Sequence, residues 1–380
     1  MRLLEQNGER KGLLSMGEKI FDLTGGLRRP NIKRMTRHAI HALAALCCLA
    51  FWPASAPAAE GVEVVDNQDR VTIKINGQLF TEYWYRLNQH PAIIRKKNAD
   101  GTTTVVSNAP RKTYFWPVIG PNNLPMTRGW PMVPDAEGEE KDHQHHRSLW
   151  FSHGAVNGVD FWSEDGKAGR IVHDQFLELK SGKDVGLIRS TCRWVGPDNK
   201  VVMTDERTFR VYNRPANERL FDFEITLKAP NDQEVVLGDT KEGTMAVRVA
   251  ESMRLNRGKN VKAEGRIVLS TGIEGNNTWG KAAEWCDYSG PVRGQRVGIA
   301  IMPHPKNPVH PTWWHVRDYG LFAANPFGVH DFEKKPPGTG NMTIPAGKSV
   351  TFRYRFYLHE GDEKQGRVAE RYQEYIKEVK

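Results

Sequence analysis

The chain has 380 residues, 39% hydrophobic and 26% charged, a composition that suits a folded globular protein and excludes disorder over most of its length. The net charge of +9 sits mostly at one end: residues 1–58 hold nine Lys/Arg against four Asp/Glu, and no basic block of nucleic-acid type follows. Nucleic acid is therefore not an expected partner, while eleven tryptophans with 35 glycines and 22 prolines point to a turn-rich β protein.

Residues 1–58 read as an export leader. Met35 opens a short basic region, Ala42–Trp52 is an apolar run of secretory length, and Ala56-Pro57-Ala58 offers a small-x-small cleavage pattern. "LRRPNIK" (Leu27–Lys33) is a weak twin-arginine motif, so Met35 is the true start or the leader is long. Either way the expected location is periplasmic or extracellular. No other apolar run is long enough to span a bilayer as a helix, so no stable span is expected in the mature chain. Beyond the leader stand two cysteines, Cys192 and Cys286, which either pair or remain separate buried thiols.

From Val64 onward the periodicity is mostly two. Arg70–Arg86 alternates around Asn76-Gly77, a hairpin signal. Ser181-Gly182 and Pro197-Asp198-Asn199 mark further turns, and strand patterns recur to "SVTFRYRFYLHEG" (Ser349–Gly361). Segment 87–110 reads as a long loop and 131–142 as an acidic loop. Only Glu363–Lys380 reads as a helix. Many strands with hardly a helix between them predict an all-β fold. With no dividing linker, residues 59–380 are expected to form one large antiparallel β-sandwich domain with long loops and a C-terminal helix.

Three segments carry candidate chemistry. "DHQHHRSLWFSHG" (142–154) holds four histidines within eleven positions. If 143–151 is extended, His143, His145 and Arg147 share one face, and His146, Ser148 and Trp150 the other. A His-x-His pair on a strand suits a divalent transition metal, with His153 or a distant carboxylate as third ligand. It equally suits acid/base work by His145, His146 or His153. Arg147 beside the pair suits an anion or a sugar hydroxyl better than a metal. "GDTKEGTMAVRV" (Gly238–Val249) places Asp239, Lys241 and Glu242 in a glycine-flanked turn, an arrangement for a positioned base or an ordinary hairpin tip.

The third segment, Met302–Gly328, combines His304, His310, His315, Trp313, Trp314, Arg317, Asp318, Tyr319 and Asn325. Its four prolines within nine positions exclude a regular element there. Aromatic faces beside Arg, Asp and Asn are how sugar rings are stacked and their hydroxyls fixed. "NGVDFWSED" (Asn157–Asp165) and "EWCDYSG" (Glu284–Gly290) add aromatic and acidic residues expected at the same end. P-loop, G-x-G-x-x-G, G-x-S-x-G and H-E-x-x-H motifs are missing, which disfavours ATP, nicotinamide, serine-esterase and zincin chemistry.

These segments, "HQHHRSLWFSHGAVNGVDFW" (His143–Trp162) above all, resemble the PmoA-like family of bacterial secreted proteins over essentially all of the chain after the leader. That family is named after a methane oxygenase subunit, and the resemblance implies no residue roles. More distantly, the β pattern and the His/Glu content are similar to the galactose-mutarotase type of super-sandwich, in which a histidine and a glutamate far apart in sequence act as acid and base on a sugar.

The leading expectation is thus an exported protein acting on a carbohydrate or uronic acid by epimerase, lyase or hydrolase chemistry. His145 or His146 would donate a proton, Glu242 would accept one, and Arg147, Asp239, Lys241, Trp313, Trp314, His315, Tyr319 and Asn325 would bind the ligand. The alternatives are a metal enzyme, possibly oxidative, with His143, His145 and His153 as ligands, and a glycan-binding protein without turnover.

Overall fold

A computed structural model describes residues 60–87, 92–97, 99–101, 103–258 and 261–378. The features read as an export leader, with Cys47 and Cys48, lie outside them. Nine strands form one sheet, in the order β1 (Val62–Asp66), β2 (Arg70–Ile75), β3 (Gln78–Trp84), β6 (Tyr114–Val118), β7 (Leu149–His153), β13 (Gly243–Arg248), β19 (Leu321–Asn325), β18 (Thr312–Val316) and β15 (Ala282–Ala283). Eight form the other: β14 (Arg266–Leu269), β16 (Cys286–Val292), β17 (Gln295–Pro303), β21 (Ser349–Glu360), β11 (Glu218–Lys228), β10 (Val201–Tyr212), β9 (Val185–Val195) and β8 (Arg170–Lys180). A small pair, β12 (Val235–Leu237) with β20 (Met342–Ile344), lies beside them, and the named strand pairs are antiparallel.

Alternation explains how the sheets pack. On the nine-stranded sheet Ile73, Phe115, Phe151, Met245, Phe322 and Trp314 point inward, and on the other sheet Phe209, Phe223, Ile301 and Phe356 meet them in one core. Phe115 stacks on Phe209 at 4.3 Å and Phe151 on Phe223 at 6.3 Å, across the gap between sheets. Each such side chain contributes about 1.5–3 kcal/mol on burial. Trp314, expected in a ligand wall, belongs to this core, because strand alternation turns it inward while Trp313 and His315 turn out.

The outer face of the nine-stranded sheet carries a second aromatic layer. The pairing register sets Trp84, Tyr114, Trp150, Ala246, Ala323 and His315 in one row across six strands. The two alanines are fully buried beneath this layer, packed with Trp150, Leu321 and Tyr319. The outer face of the eight-stranded sheet is covered by the C-terminal helix α2 (Val368–Glu378), whose Val368, Tyr372 and Tyr375 pack on Leu220, Met302 and Tyr357.

The Asn76-Gly77 hairpin forms as expected, both residues having positive φ. Segment 87–110 departs from the loop reading, since β4 (Ala92–Lys97) and β5 (Thr103–Asn108) pair as a hairpin there. A second short helix, α1 (Val329–Glu333), also forms. Cys192 and Cys286 are both free and buried. They stand on β9 and β16, five strands apart in the sheet and so roughly 24 Å, far beyond disulfide reach.

At one edge the two sheets are stitched together. Val62 of β1 exchanges both backbone hydrogen bonds with Gly182, in the turn between β8 and β9, and Val64 N donates to Ser181 Oγ. Gly186 leaves the room this approach needs, because a Cβ there would lie 2.4 Å from Val62 Cγ1. Gly186→Val is expected to cost about 1–3 kcal/mol by overpacking. Urea unfolding with an unchanged midpoint would refute that account of the seam.

Candidate functional site

The histidine segment is not extended. Residues 143–148 coil tightly, with His146 N donating to His143 O and Ser148 N to His146 O, and φ is +37° at His143 and +59° at Ser148. The cause lies upstream. The buried Arg128 guanidinium donates to the carbonyls of Glu140, Asp142 and His143 and to the Asp142 carboxylate, so the chain wraps around a cation instead of joining the sheet. The expected common face of His143, His145 and Arg147 does not exist; the strand begins only at Leu149.

Asp142 is the centre of the coil. Arg248, fully buried, donates to both its carboxylate oxygens at 2.9 and 3.0 Å, opposite Arg128. Bonds from His143 and these two guanidiniums overcome burial and hold the carboxyl well below the usual range, so it is ionised. Its Oδ2 lies 2.7 Å from His143 Nδ1; with the acceptor charged, Nδ1 donates this hydrogen bond. The His143 side chain is 40% exposed, whereas His146 is buried.

Four rings stack behind this dyad. Tyr319 lies 4.8 Å from His143, His143 4.8 Å from His146 and His146 5.4 Å from Trp150, with interplanar angles of 6°, 9° and 19°. His145 meets His146 edge-on at 4.4 Å. Arg248 donates to His146 Nδ1 at 3.1 Å, fixing that nitrogen as acceptor. Burial, then the neighbouring Lys112, pushes His145 down to about 3; burial, then His145 and Arg248, puts His146 well below its ordinary value. Both are neutral at neutral pH, so neither has a proton to donate there as the leading expectation required.

Arg147 is also reassigned. It is fully buried and grips Glu164 with Nε and Nη2 at 2.7–2.9 Å, and Lys112, equally buried, completes a triad through Glu164 Oε1 at 3.3 Å. These charges tie the 162–164 loop under the site and do not face a ligand. Removing Glu164 would strand two buried cations, so Glu164→Gln is expected to lose at least about 3–5 kcal/mol of stability by chemical denaturation.

His153 sits on the other side of the sheet. It follows Leu149 and Phe151 inward, packs against Phe327 at 4.6 Å with the rings tilted by 54°, and donates from Nε2 to Gly238 O. Burial lowers it to about 4. Facing the core, it is not brought together with His143 and His145 as the metal reading needed, and no group of three His, Cys, Asp or Glu suited to a metal ion occurs among the described residues.

The 238–242 turn is built from beneath. His315 Nδ1 donates to Lys241 O at 2.7 Å, Asn325 Nδ2 to the Thr240 and Lys241 carbonyls at 2.9 Å, and Lys241 N to Asp331. Asp239 is occupied by the amides of His330 and Gly340. His315, Asn325 and Asp239 therefore position the turn. Glu242 remains partly exposed, 3.3 Å from Lys241 Nζ, and its charge reaches Tyr319. Gly154 permits this, since a Cβ there would lie 2.7 Å from Glu242 Cβ. Trp313 is half-buried and hydrogen-bonded to Glu333.

The site thus gathers His143, His145, His146, Tyr319, His315 and Glu242 from the predicted set. Sequence reading assigned no role to Asp142, Arg128, Arg248, Glu164 or Lys112. The available signal was a lone cation in an apolar strand, as Arg248 is in "TMAVRV".

A family of unknown function, DUF6807, matches residues 70–373. The chain belongs to this family. The match carries no PmoA-like name, and that part of the sequence resemblance gains no support. No curated protein matches the sequence. Similar solved structures include one assigned as a kojibiose phosphorylase from human microbiome, at 10% identity and TM-score 0.30 over 86% of this chain; the chain spans 34% of that protein. A galactose mutarotase related enzyme from Lactobacillus acidophilus aligns at 9% identity and TM-score 0.26, over 79% of this chain and 97% of its own. A GalM/aldose epimerase homologue from C. elegans aligns at 6% and 0.28, over 80% and 99%. The sandwich itself stands on the strand pairing described above.

Burial also lowers His315, to about 3. His145, His146, His153 and His315 thus have folded pKa values below the unfolded value of about 6.5. Above that pH they are neutral in both states; below it the unfolded chain takes up protons that the folded chain refuses. Stability is expected to fall as pH drops from about 6.5 towards 4, with net proton uptake by these four histidines on unfolding. A flat stability profile over that window would contradict the buried neutral assignment.

Proposed function

We propose that the outer face of the nine-stranded sheet binds a carbohydrate and that His143 transfers a proton to or from it. The observation that carries this is the Asp142–His143 pair. It contains the exposed imidazole of the cluster, oriented through Nδ1 by a carboxylate that two buried arginines hold ionised. Such a pair fixes tautomer and ring orientation, which a general base needs. His143 takes the acid/base role first considered for His145 and His146, and Glu242 on its braced turn is the partner carboxylate. One group takes a proton from the sugar as the other returns one, which serves epimerase, lyase or hydrolase chemistry. Tyr319 and the half-buried Trp313 supply aromatic surface for the sugar ring. The leader pattern of residues 1–58 suits action in the periplasm or outside the cell.

A specific observation also favours binding without turnover: apart from His143, the histidines of the cluster are buried within the protein's own packing. One experiment separates the two. The purified protein is incubated with a panel of neutral and acidic mono- and oligosaccharides, and binding and conversion are followed by proton NMR. Conversion that falls about 100-fold or more in His143→Gln, with binding kept, supports the enzyme. Binding with no conversion by the native protein selects the binding role, and undiminished conversion by His143→Gln removes His143 from the chemistry.

A further inference from the structure

Arg317 differs from the other cations of the site. Arg128 and Arg248 share Asp142, Arg147 and Lys112 share Glu164, and Lys241 has Glu242. Arg317 has no ion pair and no side-chain hydrogen bond among the described residues. Arg317 is half-buried, its guanidinium 5.9 Å from the Trp279 centroid and 5.5 Å from that of Tyr319. The neighbouring Asp318 takes its hydrogen bond from Asn256 instead.

The backbone beneath is rigid. Arg317 N donates to Leu321 O and Gly320 N to Arg317 O, closing the β18–β19 turn, while Tyr288 Oη donates to the carbonyls of Arg317 and Asp318. Gly320, at φ +96°, lets the turn pass close to Arg254 and Val249. The turn is therefore preorganised. Aromatic faces on a guanidinium hold its plane while leaving its five N–H donors unspent, the state in which it binds a planar anion by two parallel bonds.

Position gives the anion its context. His143 and Arg317 lie against the same Tyr319 ring, so they are no further apart than their two distances to its centroid together. A sugar ring with one exocyclic carboxylate covers that span. The surrounding charge agrees, with Arg128, Arg248, Arg317 and Lys241 set against Asp142, Glu242 and Asp318.

We infer that Arg317, set beside Trp279 and Tyr319, is the subsite for the carboxylate of a uronic acid, making the ligand of this site an acidic sugar. The inference rests on the carbohydrate reading above and deepens it. Arg317 is a specificity-determining residue here, and the proton chemistry stays with His143.

The test is isothermal titration calorimetry of the purified protein with mono- and disaccharides of glucuronate, galacturonate, mannuronate and guluronate, their neutral hexose counterparts, and hexose 6-sulfates. The native protein is expected to bind a uronate about 10- to 100-fold more tightly than its neutral counterpart, with the preference weakening as salt rises. Arg317→Gln abolishes the preference while keeping neutral-sugar affinity and thermal stability, Arg317→Lys restores part of it, and His143→Gln leaves it intact. Equal binding of uronate and neutral sugar by the native protein, or an intact preference in Arg317→Gln, overturns the inference and leaves the carbohydrate reading standing. Tighter binding of the 6-sulfate than of any uronate replaces the carboxylate by a sulfate ester and also overturns it. Binding of no sugar in the panel overturns both.

Discussion

The geometry of the site depends on one carboxylate between two buried guanidiniums. Arg128 and Arg248 come from different parts of the chain and meet only at Asp142. A lone buried charge costs several kcal/mol, so each of the three would be untenable without the others. Their mutual satisfaction drags the carbonyls of residues 140–143 onto Arg128, stops β7 from starting early and leaves His143 at the surface with its Nδ1 engaged. Loss of either arginine would release the coil, and the ring stack would go with it.

Much of the scaffold is legible in the amino-acid order because it obeys local rules. Asn76-Gly77 can adopt the left-handed turn that a two-residue hairpin demands, and Pro197-Asp198-Asn199 separates β9 from β10 as its turn residues predict. Period-two alternation separates Phe151 from Trp150 and so defines the two faces of β7. The short α1 helix and the β4–β5 hairpin escape this reading, being too short or too irregular in pattern to stand out.

The site is less legible, because its chemistry is set by partners distant in sequence. Arg147 looks like a ligand-binding cation until Glu164 is found seventeen positions on, closing every approach. The strand pattern drawn through His143–Phe151 takes no account of Arg128, whose hold on the backbone overrides it. His153 carries the same side chain as His143, yet strand parity alone sends it inward to Phe327. Burial divides the clustered histidines into one outward imidazole and several silent ones.

The seam between β1 and the β8–β9 turn has a consequence for how the molecule matures. Val64 and Ser181 are 117 residues apart in the chain, so β1 has no partner at the seam until nearly a third of the polypeptide has followed it. Contacts of such separation bear the loop-closure entropy before they return any stability. An emerging or translocating chain would therefore carry β1 and β2 as an open-edged ribbon, with the exposed backbone groups that invite pairing with a neighbour. Slow synthesis would lengthen that interval, and the segment most in need of a chaperone is the one that leads the way.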